Sequence, residues 1–290
     1  MSSRSLSLVP LCSLLAACGG DAERPRTFGG DRPVVLQIPA SLDEGKRLPL
    51  VVVLPGYSTT GFVQQAFLGL AALTDGSRAF VIAPTGTANR EGRPFWNADA
   101  SCCDYDHAGP DDVGYLATLI DDIAGAWPID REAVFAIGYG NGGNMAYRLA
   151  CDRADVVAAI VAIAGGAAID PSLCAPARPV SVLHLHGTAD TEFAYDGGGP
   201  FQMAPGAPGA VECVTRWAGH DGCGGALAPD PAFELDAVVD GAETHPAHFA
   251  CAPPIAVELW TMAGSAHLPN MIDEFVPRVW PWLEARRAGP

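Results

Sequence analysis

Basic side chains are scarce in this chain. Its 290 residues carry 17 lysines and arginines against 33 aspartates and glutamates, which gives a formal net charge of −16 at pH 7. Nucleic acids and anionic membrane surfaces attract basic proteins, so this balance argues against both as partners. An acidic excess of this size is typical of a solvated surface, and we expect a monomer.

Sequence signatures of cofactor binding are missing as well. There is no GxxxxGK[ST] loop and no dinucleotide fingerprint, so a phosphate-bearing cofactor has no support. There are no CxxC pairs of the kind that bind zinc. His184 and His186 have the spacing of an HxH pair on one face of a strand, but a structural role is favoured over metal binding. We expect no cofactor and no metal.

The apolar run at the N terminus is too short to cross a membrane as a mature helix. Residues 1–18 have the layout of a bacterial export signal, with Arg4 before the apolar run. The four residues that end at Cys18 resemble a lipobox, which predicts lipidation of Cys18, although an ordinary cleaved signal peptide also fits. Residues 19–32, rich in charge, glycine and proline, predict a flexible tether. Residues 33–290 then form one domain, in contact with a membrane only through the lipid anchor.

The cysteines agree with export, since disulfides persist outside the cytosol. Of nine cysteines, seven follow Cys18, so at least one thiol is left over if the others pair. We predict a bridge between Cys223 and Cys251, which closes a long insertion between two strands. The adjacent Cys102 and Cys103 are expected to reach different partners.

Short apolar runs alternate with helical patterns through the domain. This alternation predicts an α/β protein with a mostly parallel central sheet and helices on both faces. The segment 197–254 is rich in Gly, Pro and Ala and predicts a lid or a substrate-facing excursion with one helix. Outside the segments that carry the candidate site, the predicted strands are 34–38, 50–54, 79–83 and 156–163. The predicted helices are 62–73, 112–127 and 210–218.

A glycine-rich turn lies between a predicted buried strand, 133–137, and a helical pattern that begins near Asn144. Residues 138–142 have the glycine spacing of the GxSxG nucleophile elbow, a strained strand-to-helix turn with serine at its centre. Here the serine is missing, and Gly140 occupies the central position. Any glycine-rich strand-to-helix turn can share this pattern, so the motif alone leaves both interpretations open.

Two later segments supply the partners of such an elbow. A strand that begins near residue 179 leads into a turn with Asp190, and a strand at 255–260 is followed by His267. Nucleophile, acid and histidine occur in this order in α/β-hydrolases. The carboxyl ends of parallel strands lie at one edge of a sheet, so the three positions can converge on one site.

Together these segments resemble the polyhydroxybutyrate depolymerases and feruloyl esterases of the α/β-hydrolase superfamily. The resemblance covers most of residues 33–285 and implies the α/β-hydrolase fold and action on small or polymeric carboxylic esters, of hydroxyalkanoates or of plant cell-wall phenolics. The family carries serine where this chain has Gly140, and His-Gly where it has Pro55-Gly56. The segments that carry the resemblance are 95–97, 102–103, 111–116, 141–151, 184–190, 195–198 and 258–260, with His267.

The resemblance also implies roles for individual residues. Asp190 is the acid that orients His267, the base. The backbone amides of Tyr57 and Asn141 face the developing oxyanion. Trp96 and Tyr57 are expected to line the pocket with flat apolar surface, although aromatic side chains are more often plain core.

The missing nucleophile has several possible substitutes. Ser58, Ser101 and Ser265 are the nearest hydroxyls on loops, but none is favoured, because attack requires a hydroxyl within hydrogen-bond reach of the base. The space left at Gly140 has room for a water on which His267 could act directly as general base.

Two functions are therefore predicted from the sequence. The first is an exported carboxylic-ester hydrolase with a degenerate triad, in which Asp190 and His267 remain. The alternative is a catalytically silent relative that binds a ligand in the cell envelope. A serine codon changed on purpose or by error would also explain Gly140, but the proline at position 55 favours genuine drift of the site.

Overall fold

The computed structural model describes residues 24–100, 102–198, 206–271 and 273–287. Within them the strands are β1 (Thr27–Phe28), β2 (Val34–Val35), β3 (Leu48–Leu54), β4 (Phe80–Ile82), β5 (Thr87–Ala88), β6 (Pro94–Phe95), β7 (Ile129–Tyr139), β8 (Ala159–Ile163), β9 (Ser181–Gly187), β10 (Gly224–Pro229), β11 (Thr244–Ala250) and β12 (Val257–Met262). The α-helices are α1 (Gly61–Phe67), α2 (Ala71–Asp75), α3 (Asp112–Ala126), α4 (Asn141–Asp152), α5 (Ala210–His220) and α6 (Phe275–Glu284), and Pro171–Leu173 form a short 3-10 turn.

The central sheet has eight strands in the order β10-β11-β12-β9-β8-β7-β3-β4. The six strands from β12 to β4 are parallel to their neighbours, whereas β10 and β11 are antiparallel. Parallel neighbours need crossovers, which the helices supply. The predicted α/β architecture with a mostly parallel sheet is confirmed.

Side chains of β3 alternate between the two faces of the sheet. Leu50, Val52 and Leu54 lie in an apolar core with residues of α3, α4 and α5. Val51 and Val53 lie in a second core with residues of α2 and α6. All seven residues of β3 are buried, as expected for a strand covered on both faces.

Three predicted elements differ from the structure. The predicted strand 34–38 is formed only at Val34–Val35, which pair with β1 in a two-stranded sheet apart from the central one. The predicted helix 62–73 is divided into α1 and α2 at Gly69, whose φ of 64° is left-handed and ends the first helix. The segment 197–254, predicted to be a lid with one helix, contains α5 and also β10 and β11, which extend the sheet at its edge. The many glycines and prolines of this segment do not predict strands, because within sheets these residues are common only at edges and bulges. The two strands lie at such an edge.

Three disulfides lie in the described residues. Cys223 pairs with Cys251, as predicted, and Cys151 pairs with Cys174. Cys102 pairs with Cys103, so the prediction that these neighbours reach different partners is wrong. Outside these pairs, Cys213 is free, and burial raises the pKa of its thiol to about 12.

The domain begins earlier in the chain than the predicted boundary at residue 33. Strand β1 pairs with β2, and the Arg32 guanidinium lies 2.6 Å from the buried carboxylate of Asp112. The indole N–H of Trp127 donates to the Pro25 carbonyl at 2.7 Å. Residues 24–32 of the predicted tether therefore pack on the domain. The remainder of that tether, the predicted signal at 1–18 and Cys18 lie outside the described residues.

Asp221 follows α5 and turns its carboxylate into the protein. Its Oδ1 accepts a hydrogen bond from the Val180 N–H at 3.3 Å, whereas Oδ2 is buried and has no hydrogen-bond partner among the described residues. Burial raises the pKa of Asp221 to about 7, against the lowering effect of the Val180 and Trp217 N–H groups. Ionisation of this group at neutral pH therefore opposes folding.

Replacing Asp221 with asparagine should stabilise the protein at pH 8 and have little effect at pH 4. Between about pH 4 and pH 7 the folded state keeps a proton that the unfolded chain releases, so the free energy of unfolding of the parent falls as the pH rises. We expect the variant to gain about 1 to 3 kcal/mol at pH 8, measured by urea denaturation. An equal effect at both pH values would contradict this assignment.

Candidate active site

At Gly140 the chain turns sharply from β7 into α4. Its backbone angles are φ 50° and ψ −118°, a conformation that is strained for a residue with a side chain. Its N–H donates to the Ile163 carbonyl at the end of β8, at 2.8 Å. Gly140 therefore stands at the carboxyl edge of the parallel strands, at the corner of a strand-to-helix turn.

The two flanking glycines of this turn are required by close backbone packing. A Cβ on Gly138 would lie 2.0 Å from the carbonyl oxygen of Gly142, and a Cβ on Gly142 would lie 2.0 Å from that of Leu54. Neither position has room for a side chain. The glycine spacing seen in the sequence thus reflects the geometry of an elbow.

Asp190 lies on the loop after β9, and His267 lies on the loop after β12. The His267 Nδ1 is 2.8 Å from the Asp190 Oδ2, a hydrogen-bond distance. The Asp190 side chain is fully buried, whereas 13% of the His267 side chain is exposed. The imidazole is therefore the accessible member of the pair.

The buried carboxylate of Asp190 is surrounded by donors. Its Oδ1 accepts the backbone N–H groups of Glu192 at 2.8 Å and Phe193 at 2.9 Å, and its Oδ2 also lies 3.3 Å from the His186 Nε2. Burial alone raises the pKa of Asp190, but the hydrogen bonds from His186 and His267 outweigh it and hold the pKa well below its ordinary value. Asp190 is thus ionised at neutral pH and can orient the imidazole.

The other nitrogen of His267 faces the empty side-chain position of Gly140. A Cβ on Gly140 would lie 3.4 Å from the His267 Nε2. The imidazole is held by ring contacts, stacked on Phe193 with centroids 5.5 Å apart and against the edge of Tyr139, also at 5.5 Å. The Tyr139 hydroxyl donates to the His267 carbonyl. An imidazole nitrogen is therefore fixed beside the position that a side chain at residue 140 would occupy.

A cavity of about 390 Å³ opens in front of this pair. Gly140, His267 and Tyr57 line it, and Val63 and Phe67 of α1 supply apolar surface. The volume lies within the usual range of small-molecule sites. A second cavity, of about 800 Å³, contains neither Gly140 nor His267; Cys102 lines the larger cavity and Cys103 the smaller one.

The two amides predicted to face an oxyanion both belong to residues of the smaller cavity. Asn141 is the first residue of α4, where backbone N–H groups have no intrahelical acceptor and the helix dipole is positive. Tyr57 lies on the loop after β3, which is held by a hydrogen bond from the Gly56 N–H to the Gln64 Oε1 at 3.4 Å. The start of α4 therefore favours a negatively charged oxygen near Gly140.

Trp96 does not line this cavity, which corrects the prediction made for it. It is 1% exposed and lies in the core. Its indole N–H needs an acceptor and donates to the Pro55 carbonyl at 3.1 Å. Its backbone N–H donates to the Asn141 Oδ1 at 2.7 Å, and its carbonyl accepts from the Asn141 Nδ2 at 2.9 Å. Trp96 therefore ties the loop after β3 to the elbow.

None of the candidate serines in the described residues lines the cavity. Ser58 is exposed, with φ 62°, and Ser265 is fully buried. Ser101 lies outside the described residues. Thr59 does line the cavity and was not considered from the sequence.

Glu192 is a site residue that sequence reasoning missed. Its Oε2 lies 3.7 Å from the His267 Nε2, and its side chain is 43% exposed at the cavity. The signal available was its position two residues after Asp190, on a turn closed by the Asp190 carboxylate. Because the Glu192 carboxylate lies beside the His267 Nε2, one hydrogen-bond donor in the cavity can contact both groups.

The described ranges contain no cluster of three or more His, Cys, Asp or Glu side chains arranged to bind a metal ion. Within the same ranges, no helix has the length and apolar character needed to cross a membrane.

No family model matches this chain. Feruloyl esterase B of Piromyces equi is 31% identical over 204 residues, which cover 67% of this chain and 36% of that protein. Feruloyl esterase C of Emericella nidulans is 27% identical over 242 residues, covering 70% of this chain and 83% of that protein. This chain thus spans about a third of the length of the Piromyces relative.

Among solved structures, the acetyl xylan esterase from Aspergillus awamori matches with a TM-score of 0.62 and 16% sequence identity. The match covers 87% of this chain and 94% of that chain. At this identity the likeness shows a common fold.

Proposed function

Because the chain belongs to an esterase family of the α/β-hydrolase type, we propose that it binds a carboxylic ester in the smaller cavity and hydrolyses it with water in place of the missing serine. One observation carries the proposal. The Asp190–His267 pair is joined at 2.8 Å, and its outer nitrogen faces the empty position at Gly140.

In the proposed reaction, His267 is the general base. Its Nε2 removes a proton from a water beside Gly140 as the water oxygen attacks the ester carbonyl carbon. Asp190 holds the imidazole and stabilises the imidazolium that forms. The amides of Tyr57 and Asn141 donate to the oxyanion of the tetrahedral intermediate. When the intermediate collapses, the imidazolium returns the proton to the leaving alcohol, and the acid is released without an acyl-enzyme.

Glu192 would share the attacking water with His267. The 3.7 Å between its Oε2 and the His267 Nε2 leaves room for one water to contact both acceptors. The carboxylate then orients the water and stabilises the proton on the imidazole.

Replacing Glu192 with glutamine should lower kcat for a short-chain aryl ester about 10-fold in the parent, because the amide no longer attracts the transferred proton. In a Gly140→Ser background, where a hydroxyl replaces the water, the same change should have an effect below about threefold. Steady-state kinetics of the four proteins provide the measurement. Equal effects in both backgrounds would contradict the proposal that Glu192 orients the attacking water.

Aromatic walls favour esters with a flat acyl group. Tyr57, Phe67 and Phe193 line the cavity, and two relatives bear the name feruloyl esterase. Offset or edge-on contacts with an aromatic acid would add to the apolar burial. We therefore place phenolic esters first among substrates and esters of hydroxyalkanoates second.

Export with a lipid on Cys18 is proposed on the basis of the N-terminal sequence. The Cys151–Cys174 and Cys223–Cys251 bridges support an oxidising compartment. Expression of the full chain and of Cys18→Ala in a bacterial host tests the anchor. The parent should fractionate with membranes and the variant should not; identical fractionation would exclude lipidation of Cys18.

The experiment that tests the function is hydrolysis of a short-chain aryl ester by the parent and by His267→Ala. General-base catalysis of this kind contributes about 10²- to 10⁴-fold, and we expect the parent to exceed the variant by a factor in this range. Equal rates would reject hydrolysis. A ligand-binding role in the cell envelope would then be supported if His267→Ala keeps the affinity of the parent for a non-hydrolysable ester analogue.

A further inference from the structure

A pair of histidines lies beneath the candidate active site. His184 and His186 point to the same side of β9, and both are buried. Their rings are stacked with centroids 5.3 Å apart and an angle of 11° between planes. The His184 Nε2 lies 3.0 Å from the His186 Nδ1. The proposed hydrolysis uses neither imidazole.

The pair is one part of a longer chain of hydrogen bonds. At one end, the Tyr147 hydroxyl lies 2.9 Å from the His184 Nδ1. At the other end, the His186 Nε2 lies 2.8 Å from the Phe193 carbonyl oxygen and 3.3 Å from the Asp190 Oδ2. The chain therefore runs from α4, through β9, to the carboxylate that orients His267.

The donors in this chain can be assigned from the acceptor end. A carbonyl oxygen and an ionised carboxylate only accept, so the His186 Nε2 must carry a hydrogen. If His186 is neutral, its Nδ1 accepts and the His184 Nε2 must donate. The Nδ1 of a neutral His184 then accepts from the Tyr147 hydroxyl. Every donor along this chain of hydrogen bonds thus faces an acceptor.

Burial supports a neutral His184 imidazole and a neutral Tyr147 hydroxyl. Burial and the neighbouring His186 lower the pKa of His184 well below its ordinary value, and burial raises the pKa of Tyr147 well above its own. Each group thus keeps the protonation state that the donor direction requires. A chain with its donors all in one direction is the arrangement in which hydrogen bonds reinforce one another.

We propose that Tyr147, His184 and His186 form a neutral, one-directional hydrogen-bond chain that positions Asp190, with His186 as the immediate positioning residue. The His186 Nε2–H donates to the Phe193 carbonyl at 2.8 Å and is shared with the Asp190 Oδ2 at 3.3 Å on the buried side, while His267 contacts the same oxygen from the cavity side. The Asp190 carboxylate cannot rotate without breaking one of these contacts. The inference rests on the proposed role of Asp190 and His267.

The direct test is the tautomeric state of the histidines in the full-length parent protein, read from long-range ¹H–¹⁵N spectra of ¹⁵N-labelled protein near pH 7.5. Signals are assigned by single substitution of each histidine. We expect His184 and His186 to be neutral with the hydrogen on Nε2. A hydrogen on Nδ1 of either residue, or a charged imidazole, would overturn the proposed direction of the hydrogen bonds. This result does not depend on hydrolysis, so it stands apart from a failure of the proposed function.

The positioning role is tested in a Gly140→Ser background. His186→Phe removes the N–H that Asp190 shares with the Phe193 carbonyl. We expect kcat to fall about 10²-fold with KM nearly unchanged, because a misplaced base acts on a substrate that still binds. His186→Gln keeps an N–H donor and an acceptor and should recover most of the loss. The exposed His245→Gln is the matched control. Equal losses in the Phe and Gln variants would leave His186 a packing residue and overturn the positioning role.

Discussion

Replacing Gly140 with serine will raise kcat/KM for a short-chain aryl ester by roughly 10³-fold or more. Loss of the serine from a complete triad costs about 10⁶-fold in kcat in a well-studied protease, and water recovers only part of that loss. A Cβ at this position would lie 3.4 Å from the His267 Nε2, so a hydroxyl one bond further can reach hydrogen-bond distance.

The matched control for this substitution is Gly140→Ala. It adds the same Cβ in the same strained conformation, φ 50°, but no hydroxyl. The Cβ fills the space proposed for water, so we expect the alanine variant to be slower than the parent. Serine and alanine variants of equal, low activity, both folded by circular dichroism, would contradict an otherwise complete site.

Replacing Asp190 with asparagine in the Gly140→Ser background will lower kcat by about 10⁴-fold. The Asp190 Oδ2 faces two imidazole nitrogens, the His267 Nδ1 at 2.8 Å and the His186 Nε2 at 3.3 Å. If the amide nitrogen of the introduced asparagine takes the place of Oδ2, its N–H group faces two N–H donors. If the amide oxygen takes that place, it accepts from them but carries no charge. His267 is then favoured in the wrong tautomer or loses the partner that stabilises its charged form.

Rapid-mixing and steady-state kinetics measure this loss, with thermal unfolding as the check that the double variant is folded. We expect KM to change little, because Asp190 is buried behind His267 and does not line the cavity. A kcat within tenfold of the Gly140→Ser protein would mean that Asp190 is not the group that orients the base.

Much of the site could be predicted from the sequence because it depends on short-range patterns. The glycines at 138 and 142 are required by contacts within a few residues of the elbow or with the adjacent strand. Asp190 and His267 were found from chain order and from the rule that parallel strands end at one edge. The structure brings these three elements together, and the predicted fold class is confirmed.

The remaining features depend on contacts that no local pattern contains. The sequence predicts Trp96 in the lining of the pocket, but the hydrogen bond from its indole N–H to the Pro55 carbonyl turns the ring into the core. Glu192 enters the cavity because the Asp190 carboxylate closes a turn around it. The β10 and β11 strands are stabilised by pairing at a sheet edge, which overrides their unfavourable composition.

The measurement that tests the central claim most directly is the intact mass of the parent protein during turnover of a short-chain aryl ester, recorded together with the rate of hydrolysis. We predict hydrolysis above the His267→Ala control with no acyl group on the parent, while Gly140→Ser accumulates an acyl adduct at position 140. An acyl adduct on the parent, for example on Thr59, would show an alternative nucleophile and contradict attack by water; a parent no faster than the control would contradict catalysis at the emptied position.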